Sequence, residues 1–287
     1  MLFRSDDAEI GESVLWNERE KDGEMSLVEE KYAKLQETLR GLKCIAVAYS
    51  GGIDSTFLLY SAVETLGSEN VLAYTCVSEV NAEHSLVNMR DVFAKHFENL
   101  IDLHEVRVHP LMWKEFTLND ANRCFYCKRR MYQALLDEVR KEDYFVLADG
   151  TNVDDLKNSR PGLRAIRELN VKTPLVDAGL TKKEIRLLAR SNELVNYDLP
   201  SNSCLATRIK QGVKITTSRM AVIESAEMYL SRLGFNGCRV KINGDAACIE
   251  LNRNDFISFV HDDVRVAVLR KFYDLGLQGV SLDLTGR

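Results

Sequence analysis

The string Ser50-Gly51-Gly52-Ile53-Asp54-Ser55 stands directly behind the apolar run Cys44-Ile45-Ala46-Val47-Ala48. A buried strand that breaks into Ser-Gly-Gly and then starts a helix builds an anion site. The two glycines reach backbone conformations closed to other residues and let a phosphate approach the main chain. The helix that follows, predicted over Ser55–Leu66, aims unpaired N–H groups and the positive end of its dipole at the same point. Ser50 and Ser55 add hydroxyl donors, and Asp54 is placed to cap the helix or to help hold magnesium. No Gly-x-x-x-x-Gly-Lys-Ser/Thr occurs, which excludes the mononucleotide loop built around a lysine.

Cysteines are the second source of chemistry. Cys124-Phe125-Tyr126-Cys127 opens a predicted helix, and Cys204 lies in Ser201-Asn202-Ser203-Cys204-Leu205-Ala206-Thr207-Arg208. A helix N-terminus favours thiolate charge. No second Cys-x-x-Cys completes a four-cysteine zinc site, and His84, His96, His104, His109 and His261 lack a ligand-like spacing to it. Spacing leaves three readings open: a redox dithiol, a structural zinc completed by Cys204 and a fourth group, and a [4Fe–4S] cluster on Cys124, Cys127 and Cys204 with one iron free of protein ligands. Cys44, Cys76, Cys238 and Cys248 lie in or beside apolar strand patterns and read as small buried hydrophobes.

These groups must be positioned by a regular scaffold. An amphipathic helix is predicted over Met25–Leu42, after an acidic, weakly apolar extension. Strands and helices then alternate: Cys44–Ala48, Ser55–Leu66, Val71–Val77, Asn81–His96, Ile101–Val108, Cys124–Lys141 and Tyr144–Ala148. A short strand near Lys172–Val176 and a helix over Thr181–Ser191 follow. Such alternation implies an α/β fold, a parallel sheet covered by helices, with the ligand beyond the carboxyl ends of the strands. Near Gln211–Thr217 the rhythm changes to helix Thr217–Leu233, strands Arg239–Ile242 and Ala247–Leu251, helix Asp255–Leu275 and strand Val280–Leu284, which suits a smaller α+β domain. The expected division is an extension over 1–25, a nucleotide-binding domain over 26–212 and the α+β domain over 213–287.

With 45% hydrophobic and 28% charged residues among 287, the composition is that of a globular protein. A net charge of −5 argues against a broad nucleic-acid-binding face. No apolar stretch approaches the ~20 residues of a membrane span. Asp6, Asp7 and Glu9 close behind Met1 speak against a signal peptide, so the cytoplasm is the expected location and reduced thiols or metal ligands are expected over disulfides.

The Ser50–Ser55 loop resembles the PP-loop of ATP pyrophosphatases, which split ATP into AMP and pyrophosphate. Taken with the Cys124–Cys127 pair ahead of Lys128-Arg129-Arg130-Met131-Tyr132, the loop Asp149-Gly150-Thr151-Asn152-Val153-Asp154-Asp155, Arg160-Pro161-Gly162, Cys204–Arg208 and Tyr229–Phe235, residues 26–287 resemble the LarE family of PP-loop sulfur transferases. The resemblance implies an adenine nucleotide alpha hydrolase-like fold and a reaction on pyridinium-3,5-biscarboxylic acid mononucleotide. ATP with magnesium adenylates a carboxylate, and a sulfur nucleophile then displaces AMP on the way to a nickel-pincer cofactor. Within the family a single cysteine, here Cys204, gives up its own sulfur, or three cysteines hold a [4Fe–4S] cluster that carries a sulfide. This sequence has all three, which implies the second form, resupplied by an external sulfide donor. The resemblance further implies nucleotide contacts at Gly150, Thr151 and Asn152, and a sulfur-transfer site near Glu227, Arg239 and Lys241. The family pattern favours arginine where this chain has Lys241, a change that keeps the charge and loses the bidentate fork. Arg160 and Arg208 are candidates for phosphate contacts; Asp154 and Asp155 suit either magnesium or helix capping. Lys128-Arg129-Arg130 reads as a solvated charge run. Rival readings are a PP-loop tRNA thiolase, an amide-forming PP-loop ligase with structural zinc, and a non-enzymatic ATP sensor. A homo-oligomer is expected.

Overall fold

The computed structural model describes residues 26–143, 145–157, 161–199 and 203–287. The expected extension, Met25, Tyr144 and the candidate Arg160 lie outside the described residues. Helix α1 covers residues 26–42 and buries Val28, Leu35 and Leu39 in the main core, which accounts for its apolar spacing. Strand β1 (Ile45–Ala48) leads through the Ser50–Gly52 turn into α2 (Ile53–Leu66). There follow β2 (Val71–Val77), α3 (Glu83–Phe97), β3 (Leu103–Arg107), the single turn α4 (Lys114–Thr117), α5 (Arg123–Val139) and β4 (Val146–Asp149). Three short helices, α6 (Val153–Leu156), α7 (Pro161–Glu168) and α8 (Pro174–Asp177), precede α9 (Lys182–Ser191).

The four strands form one parallel sheet in the order β3-β2-β1-β4. Parallel strands covered on both faces read as continuous apolar runs, as Ile45–Val47 does, with every residue buried. Strands β2 and β3 build outward on one side of β1 while β4 lies on the other, so the order reverses between β1 and β4. Ala48 pairs with Asp149 at that reversal, which brings the Ser50–Ser55 and Gly150–Asn152 loops side by side at the carboxyl edge. The segment at Lys172 corrects the sequence reading. Lys172 makes one parallel bridge to Ala148, and Pro174 then starts α8, because proline lacks the N–H that a continuing ladder needs.

After the turn at Leu205–Arg208 come α10 (Thr217–Arg232), β5 (Arg239–Asn243), β6 (Ala246–Glu250), α11 (Phe256–Phe259), α12 (Asp262–Asp274) and β7 (Gly279–Leu282). Strands β5 and β6 form an antiparallel hairpin, and β7 adds parallel to β6. The long helix expected over Asp255–Leu275 is broken at His261, whose extended backbone (φ −55°, ψ 141°) separates α11 from α12. The core beneath this sheet joins Ile223, Leu230, Val240, Ile249 and Phe272 to Val80, Ala82 and Phe116 from the preceding part of the chain. Among the described residues, no helix is long and apolar enough to cross a membrane.

Candidate active site

The Ser50–Ser55 loop is held by its own hydroxyls. Ser50 N–H donates to Ser55 Oγ (3.1 Å), Ser55 Oγ donates to Gly52 O (3.0 Å), and the two serine oxygens lie 3.1 Å apart. Gly51 has φ +74°, and a side chain there would run into Met89 of α3 at 2.7 Å, so glycine is required twice over. Asn196, buried at 1% exposure, donates to Gly51 O and to Thr56 Oγ1, each at 2.9 Å. Helix α2 starts with Gly52 as its cap, and among the described residues no side chain bonds to its first N–H groups, which leaves them available to an anion. Gly150 closes the site from the β4 side. A Cβ there would lie 2.7 Å from Ser55 N, so the two loops approach backbone to backbone.

Asp54 does not cap α2. Its carboxylate accepts from Asn152 Nδ2 (3.2 Å) and from the Lys182 ammonium at the start of α9. Burial pushes the Asp54 carboxyl pKa up, opposed by the charge of Lys182. Asn152 caps α6 in a capping box with Asp155, while Asp154 accepts from Lys157 Nζ (2.6 Å) and Lys182 N (2.8 Å). Capping therefore accounts for both aspartates of the Asp154-Asp155 pair, and Thr151 N–H is fixed by Asp149 Oδ1 at 2.9 Å.

Lys128 is not part of a solvated charge run. It reaches across the end of β4 to Asp149 Oδ2 (3.2 Å), which also accepts from Tyr132 OH (2.8 Å). Desolvation, with the neighbouring Asp149 charge, drives the Tyr132 hydroxyl pKa well above its ordinary value. One helix, α5, thus begins with Cys124 and Cys127 and is anchored one residue later at the strand end beside the glycine loop.

Arg123 joins that helix start to the Cys204 turn. Its Nη1 donates to Asn119 Oδ1 (2.6 Å) and Ala206 O (2.9 Å), and its Nη2 lies 3.4 Å from Cys124 Sγ. Cys124 is exposed, Cys127 and Cys204 are half-buried, and all three are free thiols. Desolvation raises Cys127 to about 12, with the neighbouring Cys204 and Cys124 adding to it, and raises Cys204 against the opposing charge of Arg123. Cys127 and Cys204 pack against the same apolar cluster, and Cys124 lines one cavity with Thr207 and Arg208 of the Cys204 turn. Among the described residues, no three His, Cys, Asp or Glu side chains are gathered closely enough to hold a single metal ion.

Arg208 is 7% exposed and directs its guanidinium inward. It pairs in bidentate fashion with Glu227 (2.9 and 3.3 Å) and donates to Ser203 O (2.8 Å) and Cys204 O (3.2 Å), so it clamps the Cys204 turn to α10. Glu227 also accepts from Val240 N at 2.9 Å. Burial lowers the Arg239 pKa, with Arg287 and Arg208 adding to the effect. Lys241, half exposed, pairs with Glu250. A cavity of about 620 Å³ opens beside these groups, lined by Arg123, Cys124, Arg208, Lys210 and Lys241 among others.

Sequence reasoning passed over Lys128, Asp149, Lys182, Arg123 and Asn196. The basic run directly behind Cys127 and the acid directly ahead of Gly150 were signals for the first two. For Lys182, Arg123 and Asn196 the partners lie far away in sequence, and no local pattern marks them.

No protein-family model matches the chain. It is 32% identical over 260 residues to an uncharacterised protein of Synechocystis, covering 91% of this chain and 96% of that protein. Over 265 residues it is 30% identical to the pyridinium-3,5-bisthiocarboxylic acid mononucleotide synthase of Lactiplantibacillus plantarum, covering 91% of this chain and 93% of that one. A shorter similarity, 32% over 113 residues, links it to the tRNA(Ile)-lysidine synthase of Buchnera aphidicola, covering 39% of this chain and 24% of that protein.

Proposed function

This chain belongs to the LarE family of PP-loop enzymes, and from that premise we propose that it is an ATP-dependent sulfur transferase acting on pyridinium-3,5-biscarboxylic acid mononucleotide. A carboxylate is a poor electrophile at neutral pH. In the first step a substrate carboxylate oxygen attacks the α-phosphorus of ATP, the bond to the β-phosphate bridge breaks, and pyrophosphate leaves. In the second step hydrosulfide attacks the acyl carbon, the C–S bond forms, and AMP departs with the electron pair of the broken C–O bond. The product is a thiocarboxylate, and the thiol proton is released to water.

The chain's own groups divide these tasks. The Gly51 and Gly52 backbone, the Ser50 and Ser55 hydroxyls and the start of α2 meet the charge that develops on pyrophosphate. Asp54 would help hold a magnesium ion, which would offset that charge, and Lys182, paired with Asp54, adds positive charge beside it. The Gly150–Asn152 loop, held through Asp149 and the α6 capping box, takes the adenylate. A [4Fe–4S] cluster bound by Cys124, Cys127 and Cys204 would supply an open iron that keeps a sulfide at hand. Arg208 and Glu227 hold the Cys204 turn, while Arg239 and Lys241 provide positive charge on the substrate side.

The observation that carries this reading is the uncapped start of α2 at the sheet reversal, with Lys128 tying the cysteine helix to the same strand end. The test is anaerobic reconstitution with iron and sulfide, followed by incubation with ATP, magnesium and the biscarboxylate mononucleotide. AMP, pyrophosphate and thiocarboxylate are expected in step, with more than one product per chain. A single product per chain with conversion of Cys204 to dehydroalanine would overturn the cluster as sulfur source. Pyrophosphate release on tRNA in place of the mononucleotide would overturn the substrate.

A further inference from the structure

Cys204 and the Cys124–Cys127 pair reach one place from two distant stretches of chain, and something must fix their separation. Arg208 clamps the Cys204 turn from the α10 side through hydrogen bonds to Glu227, Ser203, Cys204 and Thr207. Arg123 is the side chain that spans the gap. Its Nη1 bonds at once to Asn119 Oδ1 and to Ala206 O, a carbonyl 83 residues away, while Nη2 faces Cys124 Sγ.

Asn119 extends the same fastening. It is 1% exposed with a left-handed backbone (φ +56°), and its amide donates to Lys210 O and Val213 O, each at 2.8 Å. Its own carbonyl accepts from Gly212 N at 2.9 Å. The 119–123 turn is thereby locked onto the 206–213 segment by groups that are not cysteines. Among the described residues, the buried Arg123 Nε has no hydrogen-bond partner.

We propose that Arg123 is a positioning residue of the sulfur-transfer site, setting the separation at which Cys204 works with Cys124 and Cys127. The role depends on the planar fork, which presents donors to Asn119, Ala206 and Cys124 in one rigid arrangement; a lysine ammonium is a single point on a flexible stem and cannot span all three. The inference rests on the sulfur-transfer reading of the three cysteines, but its primary test does not.

That test uses metal-free, reduced full-length protein as wild type, Arg123→Lys and Arg123→Gln. Each is treated with dibromobimane, which bridges neighbouring thiols, at a temperature where circular dichroism shows it folded. Peptide mapping then gives the yield of the bridge from Cys204 to Cys124 or Cys127. Both variants are expected to lose that bridge by about fivefold or more, the lysine included, because charge without the fork does not restore the geometry. After reconstitution with iron and sulfide, thiocarboxylate formation is expected to fall about tenfold while first-turnover pyrophosphate release stays within about twofold. Wild-type bridge yield in either variant would overturn the proposal. Absence of pyrophosphate release in wild type would overturn the proposed function and leave the bridging result to decide Arg123.

Discussion

Lys128 Nζ lies 3.2 Å from Asp149 Oδ2, so the residue that follows Cys127 is bonded to the residue that precedes Gly150. Through this one contact the helix carrying two cysteines and the strand carrying the second glycine loop share a fixed reference point. Asp149 is 3% exposed, and its other carboxylate oxygen orients Thr151 N–H. Lys128→Met leaves that buried carboxylate with Tyr132 as its side-chain donor. A loss of about 1–3 kcal/mol in denaturant unfolding is expected. Pyrophosphate release and sulfur transfer should fall together, since both loops lose their common anchor. Loss of one activity with the other intact would show that Lys128 serves a single half.

Gly150 and Gly162 make a matched pair of substitutions. A methyl group at position 150 meets backbone at 2.7 Å (Ser55 N), whereas at position 162 the nearest atom is Lys128 Cδ at 3.2 Å, part of a flexible side chain. Gly150→Ala must displace the start of α2 and is expected to cut ATP-dependent pyrophosphate release by about tenfold or more. Gly162→Ala should stay within about threefold of wild type, because the lysine stem can give way. Steady-state pyrophosphate assays on the two variants decide it.

Glu227→Ala removes the partner of a buried arginine. Breaking such a pair from one side costs about 3–5 kcal/mol, which equilibrium unfolding will read directly. Arg208 is then free to leave the Ser203 and Cys204 carbonyls, so thiocarboxylate formation is expected to drop more than first-turnover pyrophosphate release. Equal losses would argue that the Cys204 turn does not depend on this clamp.

Two thiols outside the site predict the alkaline limit of stability. Burial raises both Cys76 and Cys238 from the ordinary 9.0 to about 12. Below 9.0 both folded and unfolded chains keep these protons; between 9.0 and about 12 the unfolded chain releases them and the folded chain does not. The unfolded state binds fewer protons there, so stability falls as pH rises through that interval. Thermal melts across the range should show the decline, and a Cys76→Ala/Cys238→Ala protein should show a shallower one. Identical slopes would remove these thiols as the cause.

The glycine loop and the parallel sheet were legible in the sequence because their determinants are contiguous: a short apolar strand, a serine-glycine break and a helix. The three cysteines were legible as types, but not what brings them together. Lys182 and Asp54 are 128 positions apart, and Arg123 and Ala206 are 83 apart, so no periodicity or spacing could pair them. Arg208 was legible as a cation near Cys204, yet its clamp on the Cys204 turn was not, because its direction is set by Glu227 on a different helix. The break at His261 escaped notice because the apolar spacing runs on through it.

Val80, Ala82 and Phe116 belong to a core whose other members are residues 205–277, and Cys127 packs against the same cluster. During synthesis the nucleotide loop and its sheet can close as soon as α9 has emerged, since Leu175, Ile185, Leu188 and Leu194 complete the main core. The surroundings of Cys127 stay uncovered until nearly the whole chain has left the ribosome. A chain cut short after α9 would present the Cys127 thiol beside an exposed Phe116.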